Sequence, residues 1–265
     1  METAAIITVG TAATIRTEMA ADAPLAGKAG LSGRSPALLA LLIGAALVAL
    51  AVPRMRAYLE IAPWARVVND RAVNVEGPHL TAAMSDYCGA AARLGGDAVL
   101  TQDCARLLLR LADGGAGPEE TGKLLSGASD ALRRSVAAAP DRALAWAWLG
   151  EVEQRRRSPL ASIVEPLRMS HLTGPHEASA MLVRAAAVLK GWGEMPDDLR
   201  EVAEQDLRGL WSAYLLRRDL VSLYLASGYQ TRVLIRHLVL TTEEDRRRFD
   251  AMAVRAFRTR SGRSR

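Results

Sequence analysis

The chain has 265 residues, half of them hydrophobic but only 5% aromatic, with a formal net charge of +5 and two cysteines. Ala, Leu and Arg dominate and alternating Val/Ile/Thr-rich runs are missing, which argues against a strand-built domain and predicts an all-α protein. Beyond residue 53 about 210 residues remain, room for one large helical domain or two small ones.

Residues 1–35 are rich in Ala, Thr and Gly, show no period that would bury an apolar face, and are expected to be disordered. They balance Arg16, Lys28 and Arg34 against Glu2, Glu18 and Asp22, so the whole positive excess lies further on. The run ALLALLIGAALVALAV at 37–52 carries no charge and is closed by Arg34 and Pro36 on one side and by Pro53, Arg54 and Arg56 on the other. As a helix it would rise about 24 Å, short of a hydrocarbon core near 30 Å. The arginine stems at its ends can carry their charges to the headgroups and make up the difference. A core helix of a soluble domain is apolar along one stripe, whereas this run is apolar all round. A cleaved signal peptide is the other alternative, because Ala49-Leu50-Ala51 has the small-x-small form and a start at Met19 would shorten the long leader. The expectation is an uncleaved single-pass transmembrane helix at 36–53, followed by a connector at 54–78.

Orientation is not decided by charge, since Arg16, Lys28 and Arg34 before the run face Arg54, Arg56, Arg66 and Arg71 after it. A first apolar segment near the N-terminus commonly acts as a signal anchor, which places the following domain outside. The expected location is therefore the inner (cytoplasmic) membrane with a periplasmic helical domain at 79–257.

Helices follow from i, i+3, i+4, i+7 spacing. Leu80, Met84, Tyr87, Cys88 and Ala91 mark one stripe and Leu100, Cys104, Leu107, Leu108 and Leu111 a second, with Gly95-Gly96 as the breaker. In this helical hairpin Cys88 and Cys104 each lie eight residues from position 96, so antiparallel packing brings them to one level of the seam. They are a possible disulfide in an exported domain and a pair of small apolar thiols in a cytosolic one. Leu124, Leu125, Ala128, Leu132 and Val136 form the next helix, ending at Ala139-Pro140, and Asp141 is expected to cap the one after it.

That next helix carries Trp146, Leu149 and Gly150, the W-x2-L-G arrangement. Here the chain resembles a tetratricopeptide repeat. Gly150 would let the partner helix approach closely while Trp146 and Leu149 fill the space between successive helices. Pro140 then closes a preceding repeat, with Ala128 and Leu132 at its small and larger apolar positions. The resemblance weakens afterwards: Glu153 stands where the pattern wants Tyr, Ser162 and Pro166 stand where it wants Ala and Phe, and Pro166 should kink or stop its helix. Further helices complete the fold: one with Ala178, Met181, Leu182, Ala185, Leu189 and Trp192 after Gly174-Pro175, and one with Leu199, Val202, Ala203, Leu207, Leu210, Trp211 and Tyr214 after Pro196-Asp197. Leu220, Leu223 and Tyr224 begin a third, broken at Gly228. Val233, Leu234 and Leu238 follow, and Thr242 with Asp245 caps a last helix bearing Phe249, Met252, Ala253 and Ala256. A basic disordered tail is expected at 258–265.

Taken together, the anchor, the Ala-Pro-Asp-x-Ala-Leu-Ala-Trp turn and the stretch Leu-Arg-Met-Ser-His-Leu-Thr-Gly-Pro-His-Glu are similar to bacterial single-pass membrane proteins with a tetratricopeptide-like domain. The similarity covers about residues 36–215 and implies a stack of antiparallel helix pairs and a role in surface polysaccharide assembly. It identifies no functional residues.

The chain offers little chemistry. It has no Gly-rich phosphate loop and no nucleophile elbow. His171 and His176 straddle Thr173-Gly174-Pro175, which breaks any common helical face, so no metal motif is formed. Ser170, His171, Thr173 and His176 could still shape a polar pocket for a glycan or a substrate. Against this, Thr173-Gly174 reads as the end of one helix, with Glu177 suited to the positive start of the next. The clusters Arg155-Arg156-Arg157 and Arg246-Arg247-Arg248 have Glu151, Glu153, Glu243, Glu244 and Asp245 beside them and read equally well as solvated faces. No stacking aromatic set accompanies them, so a nucleic-acid partner is not expected. The sequence thus predicts a non-enzymatic, cofactor-free, membrane-anchored scaffold whose partners are the membrane and other envelope proteins. The alternative is a glycan-binding module or enzyme built around His171, Thr173 and His176.

Overall fold

The computed structural model describes residues 34–69, 77–115 and 117–262. In chain order the elements are α1 (Arg34–Ile61), a short 3-10 turn (Ala62–Trp64), α2 (Ala65–Asn69), α3 (Gly77–Arg93), α4 (Ala98–Asp113), α5 (Pro118–Ala138), α6 (Ala143–Arg155), α7 (Leu160–Thr173), α8 (Ala178–Lys190), α9 (Asp197–Ser212), α10 (Arg217–Ala226), α11 (Tyr229–Val239) and α12 (Glu243–Gly262). No strand occurs among the described residues, and the class is all-α.

The chain divides into two compact units at Val48–Ala49. The described part of the first unit is the start of α1, whose Leu38, Leu39, Leu41, Leu42, Ile43 and Leu47 are all exposed. The one candidate membrane span among the described residues begins at Ala37, with a mean hydropathy of 2.2 and no buried residue in its apolar window. The helix that carries the expected span at 36–53 continues beyond it: α1 runs through Pro53 for 28 residues, about 42 Å at 1.5 Å per residue. Pro53 removes one backbone donor, yet the turns beyond it hold because Ala57 and Ile61 are buried in the core of the second unit. The expected connector is accordingly structured through Asn69, while residues 70–76 lie outside the described part.

In the second unit, short connections join antiparallel neighbours. α3 lies on α4, α4 on α5, α6 on α7 and α8 on α9, and α6 and α8, first helices of successive pairs, also touch. This is a stack of paired helices in the frame read from Trp146 and Pro140, with α5 closing the pair that precedes α6. The core is small and dense: Ala83, Ala90, Ala105, Leu107, Ala128, Ala131, Leu132, Ala145 and Ala147 have essentially no exposure. Cys88 on α3 and Cys104 on α4 form a disulfide with Cα atoms 4.9 Å apart, inside the range such a bond requires. Arg106 Nη2 donates to Val68 O at 2.8 Å and Arg110 Nη1 donates to Val67 O, so α4 satisfies carbonyls at the end of α2.

Side-chain caps mark the starts of α4 and α12. Asp97 accepts from the backbone N–H groups of Val99 and Leu100 and so caps α4. Thr242 Oγ1 accepts from Asp245 N at 3.1 Å at the start of α12. Three expectations differ from the structure. Asp141 makes no cap: the N-cap of α6 is Arg142, without a side-chain hydrogen bond. Pro166 does not stop α7, which continues to Thr173 with Pro166 buried, so apolar contact offsets the lost backbone bond. α12 runs to Gly262, so residues 258–262 of the supposed tail are helical. The far end of the unit has its own core around Leu207, Leu210, Leu220, Ile235 and Phe249, where Phe249 meets Tyr224 edge-on at 5.0 Å and Trp211 at 5.5 Å.

Candidate functional site

Among the described residues, the W-x2-L-G helix contributes to two grooves. Gly150 faces α7: a Cβ placed on it would come within 2.6 Å of Leu167 Cδ2 and 3.2 Å of Ile163 O. Only glycine permits that approach, and it brings Leu149 and Trp146 to the seam between α6 and α7. Leu149 is buried and Trp146 half-buried, its indole Nε1 donating to Pro140 O at 2.8 Å, which fixes the ring. Core filling falls largely to Trp148, which the pattern did not single out and which is buried.

One turn further along α6, Glu153 occupies the position where an aromatic was expected, and it is 1% exposed. Its carboxylate is closely held. Ser129 Oγ donates to Oε1 and Ser158 Oγ to Oε2, each at 2.5 Å; Arg133 Nη2 donates to Oε1 at 3.0 Å, and Arg156 Nη1 donates to both oxygens at 3.1 Å. Burial pushes the Glu153 pKa up, but these hydrogen bonds and the two guanidinium charges outweigh it and hold the carboxyl below its ordinary value. A carboxylate with its lone pairs filled and its basicity lowered is a poor general base. What it does well is fix two arginines.

Each arginine borders a groove. Arg133 lies beside a cavity of about 370 Å³ floored by Trp146, Leu149, Pro166 and Met169, with Glu165 also lining it. Arg156 lies in a wider one of about 680 Å³ between α5 and the end of α6, together with Arg155 and Arg157. Both volumes fall in the range of ligand-binding clefts.

A second buried polar cluster joins α7, α8 and α9. Arg184 has no exposure and Asp206 2%. Nε and Nη2 of Arg184 each donate to Asp206 at 2.7 Å, a bidentate pair, and Nη1 donates to Ser170 Oγ at 2.9 Å. Burial raises the Asp206 pKa to about 6 despite its arginine partner. His171 abuts this cluster: burial and then the Arg184 charge lower its pKa, and its buried Nδ1 has no hydrogen-bond partner. Thr173 Oγ1 donates to Met169 O at 2.8 Å within its own helix, and His176 is exposed. His171, Thr173 and His176 therefore sit at the end of α7 and the turn after it, and none of them lines either groove. A Cβ on Gly174, in that turn, would come within 2.5 Å of Ala143 Cβ, so the turn is pressed against the start of α6. Among the described residues no group of three His, Cys, Asp or Glu side chains could hold a metal ion.

No protein-family model matches the chain, no curated protein matches it, and no solved structure does.

Proposed function

We propose that the protein is a membrane-anchored, tetratricopeptide-like scaffold that docks partner proteins, with no catalytic role of its own. The observation that carries this reading is the open groove on the paired helices α6 and α7, where an aromatic floor is fixed by Trp146 and the neighbouring arginine by a buried glutamate. Half-buried aromatic and sulfur-bearing side chains beside charged neighbours are the composition of protein-docking hot spots. α1 supplies the anchor, by its length and apolar surface. The Cys88–Cys104 bond supports an oxidising compartment for the helical unit, hence the periplasmic side of an inner membrane. Within the envelope, we place it in assemblies that handle surface polysaccharide, on the resemblance carried by the turn at 139–146 and the stretch at 167–177.

Purification from detergent-solubilised membranes tests the reading. The expected result is recovery with a stoichiometric second protein that is lost from Trp146→Ala and Met169→Glu variants of unchanged melting temperature. Recovery of the protein alone and monomeric would overturn it.

A further inference from the structure

The wider groove carries a feature that helix packing does not require. α6 ends in a two-bond turn in which Ser158 N donates to Glu153 O at 3.0 Å and Arg157 N donates to Gln154 O at 3.0 Å. This is the Schellman closure, whose penultimate residue must enter the left-handed region, where glycine is the usual occupant. At the end of α3 the same closure holds glycine: Gly96 N donates to Ala91 O, Gly95 N to Ala92 O, and Gly95 has φ +66°. At the end of α6 the slot is filled by Arg157, with φ 58°, the one non-glycine residue at positive φ among those described. A side chain is kept there against the backbone's preference. Arg157 is exposed and has no side-chain partner among the described residues, so its place is explained by no internal contact.

Its surroundings give it a use. Arg155, Arg156 and Arg157 line the groove together with Leu125, Thr121 and Ser126, and no lining residue is acidic or aromatic. Arg155 is held by Asp113, which is 66% exposed and so easily replaced as partner. Arg156 is aimed by Glu153 through Nη1 alone, leaving the rest of its fork for a second anion. The closure of a helix C-terminus accounts for one or two basic residues, but not for an arginine in the glycine slot.

From this we infer that the groove between α5 and the end of α6 is a binding site for an acidic peptide segment of a partner protein, its carboxylates received by Arg155, Arg156 and Arg157. The absence of an aromatic among the lining residues disfavours a sugar or a nucleobase, both of which rest on ring faces. The inference rests on the docking reading for its occupant, but it is tested separately, on the purified protein.

The test is a fluorescence-anisotropy titration of the full chain in detergent with a labelled peptide of alternating Glu and Leu, alongside its Lys–Leu counterpart and a sulfated oligosaccharide. The expected result is binding of the Glu–Leu peptide alone, weakening as salt rises. Arg157→Gly should weaken it roughly tenfold, the weight of one charge-assisted hydrogen bond, while leaving the melting temperature unchanged or higher because the backbone slot is relieved. Arg155→Gln should weaken it as well. No binding by the wild type, equal binding by Arg157→Gly, or preference for the oligosaccharide would each overturn the inference. None of these results bears on whether a partner is recovered through the Trp146 groove.

Discussion

Two buried carboxylates, one in each half of the helical unit, have opposite characters. Glu153, on α6, collects two hydroxyl donors and two guanidinium groups, and its pKa is lowered. Asp206, on α9, has one arginine, bidentate and fully enclosed, and burial raises its pKa to about 6. The difference lies in solvent and in donor number. Arg133 and Arg156 keep 57% and 32% of their side-chain surface, so Glu153 is neutralised by groups that remain hydrated, whereas Arg184 has none. One network presents its arginines to grooves; the other locks three helices together. Position in the fold thus separates an ion cluster at the edges of grooves from one enclosed between helices.

That contrast can be broken most severely at Arg184. Arg184→Ala strands a buried aspartate and should cost about 3 to 5 kcal/mol in denaturant unfolding, while the double change Arg184→Met with Asp206→Leu should recover most of the loss. A single loss that the double change does not recover would show that the pair matters beyond its desolvation.

The disulfide comes next. Replacing Cys88 and Cys104 by serine should lower stability by about 3 kcal/mol, the chain-entropy value for a loop of this length. Reductant should shift the melting temperature of the wild type but not of the variant.

The pH dependence distinguishes the two carboxylates by sign. Asp206 binds its proton more tightly in the folded chain than in the unfolded one, so its contribution should fall as pH rises from about 4 to about 6 and stay flat above that. Asp206→Asn should flatten that slope in a series of unfolding curves. Glu153 acts in the opposite sense. Its stabilisation is present above the ordinary glutamate pKa and is lost as pH falls through its lowered value, so Glu153→Gln should remove an acid-side loss instead.

Gly150→Ala should cost about 1 to 3 kcal/mol, because the new methyl meets Leu167 at 2.6 Å. The smallest effect is expected at Arg133. Arg133→Ala leaves Glu153 with three partners and should cost under about 1 kcal/mol in thermal unfolding. A loss comparable to that of Arg184→Ala would erase the distinction between the networks.

Much of this was legible in the sequence. The 3.6-residue period located the helices, and Trp146, Leu149, Gly150 and Pro140 set the frame in which they pair. What was missed has physical reasons. Pro166 read as a break from its lost donor alone, whereas its own burial keeps α7 going. Asp141 has the chemistry of a cap but lies one residue too early. The ion networks were present as a signal: Glu153 shares a face with Trp146, Leu149 and Gly150, Arg184 with Met181 and Val188, and Asp206 with Ala203 and Leu210. A charge on an apolar stripe needs a buried partner, but the partners lie on other helices, and spacing along one helix cannot name them. The grooves, likewise, exist only where α5, α6 and α7 meet.

Photo-crosslinking in native membranes tests the docking role most directly. With a photoreactive residue in place of Met169, in the floor of the aromatic groove, the account predicts a discrete adduct with a second protein, weakened by Trp146→Ala and absent when the same probe replaces the exposed Glu119. No adduct from Met169, or equal adducts from both positions, would contradict it.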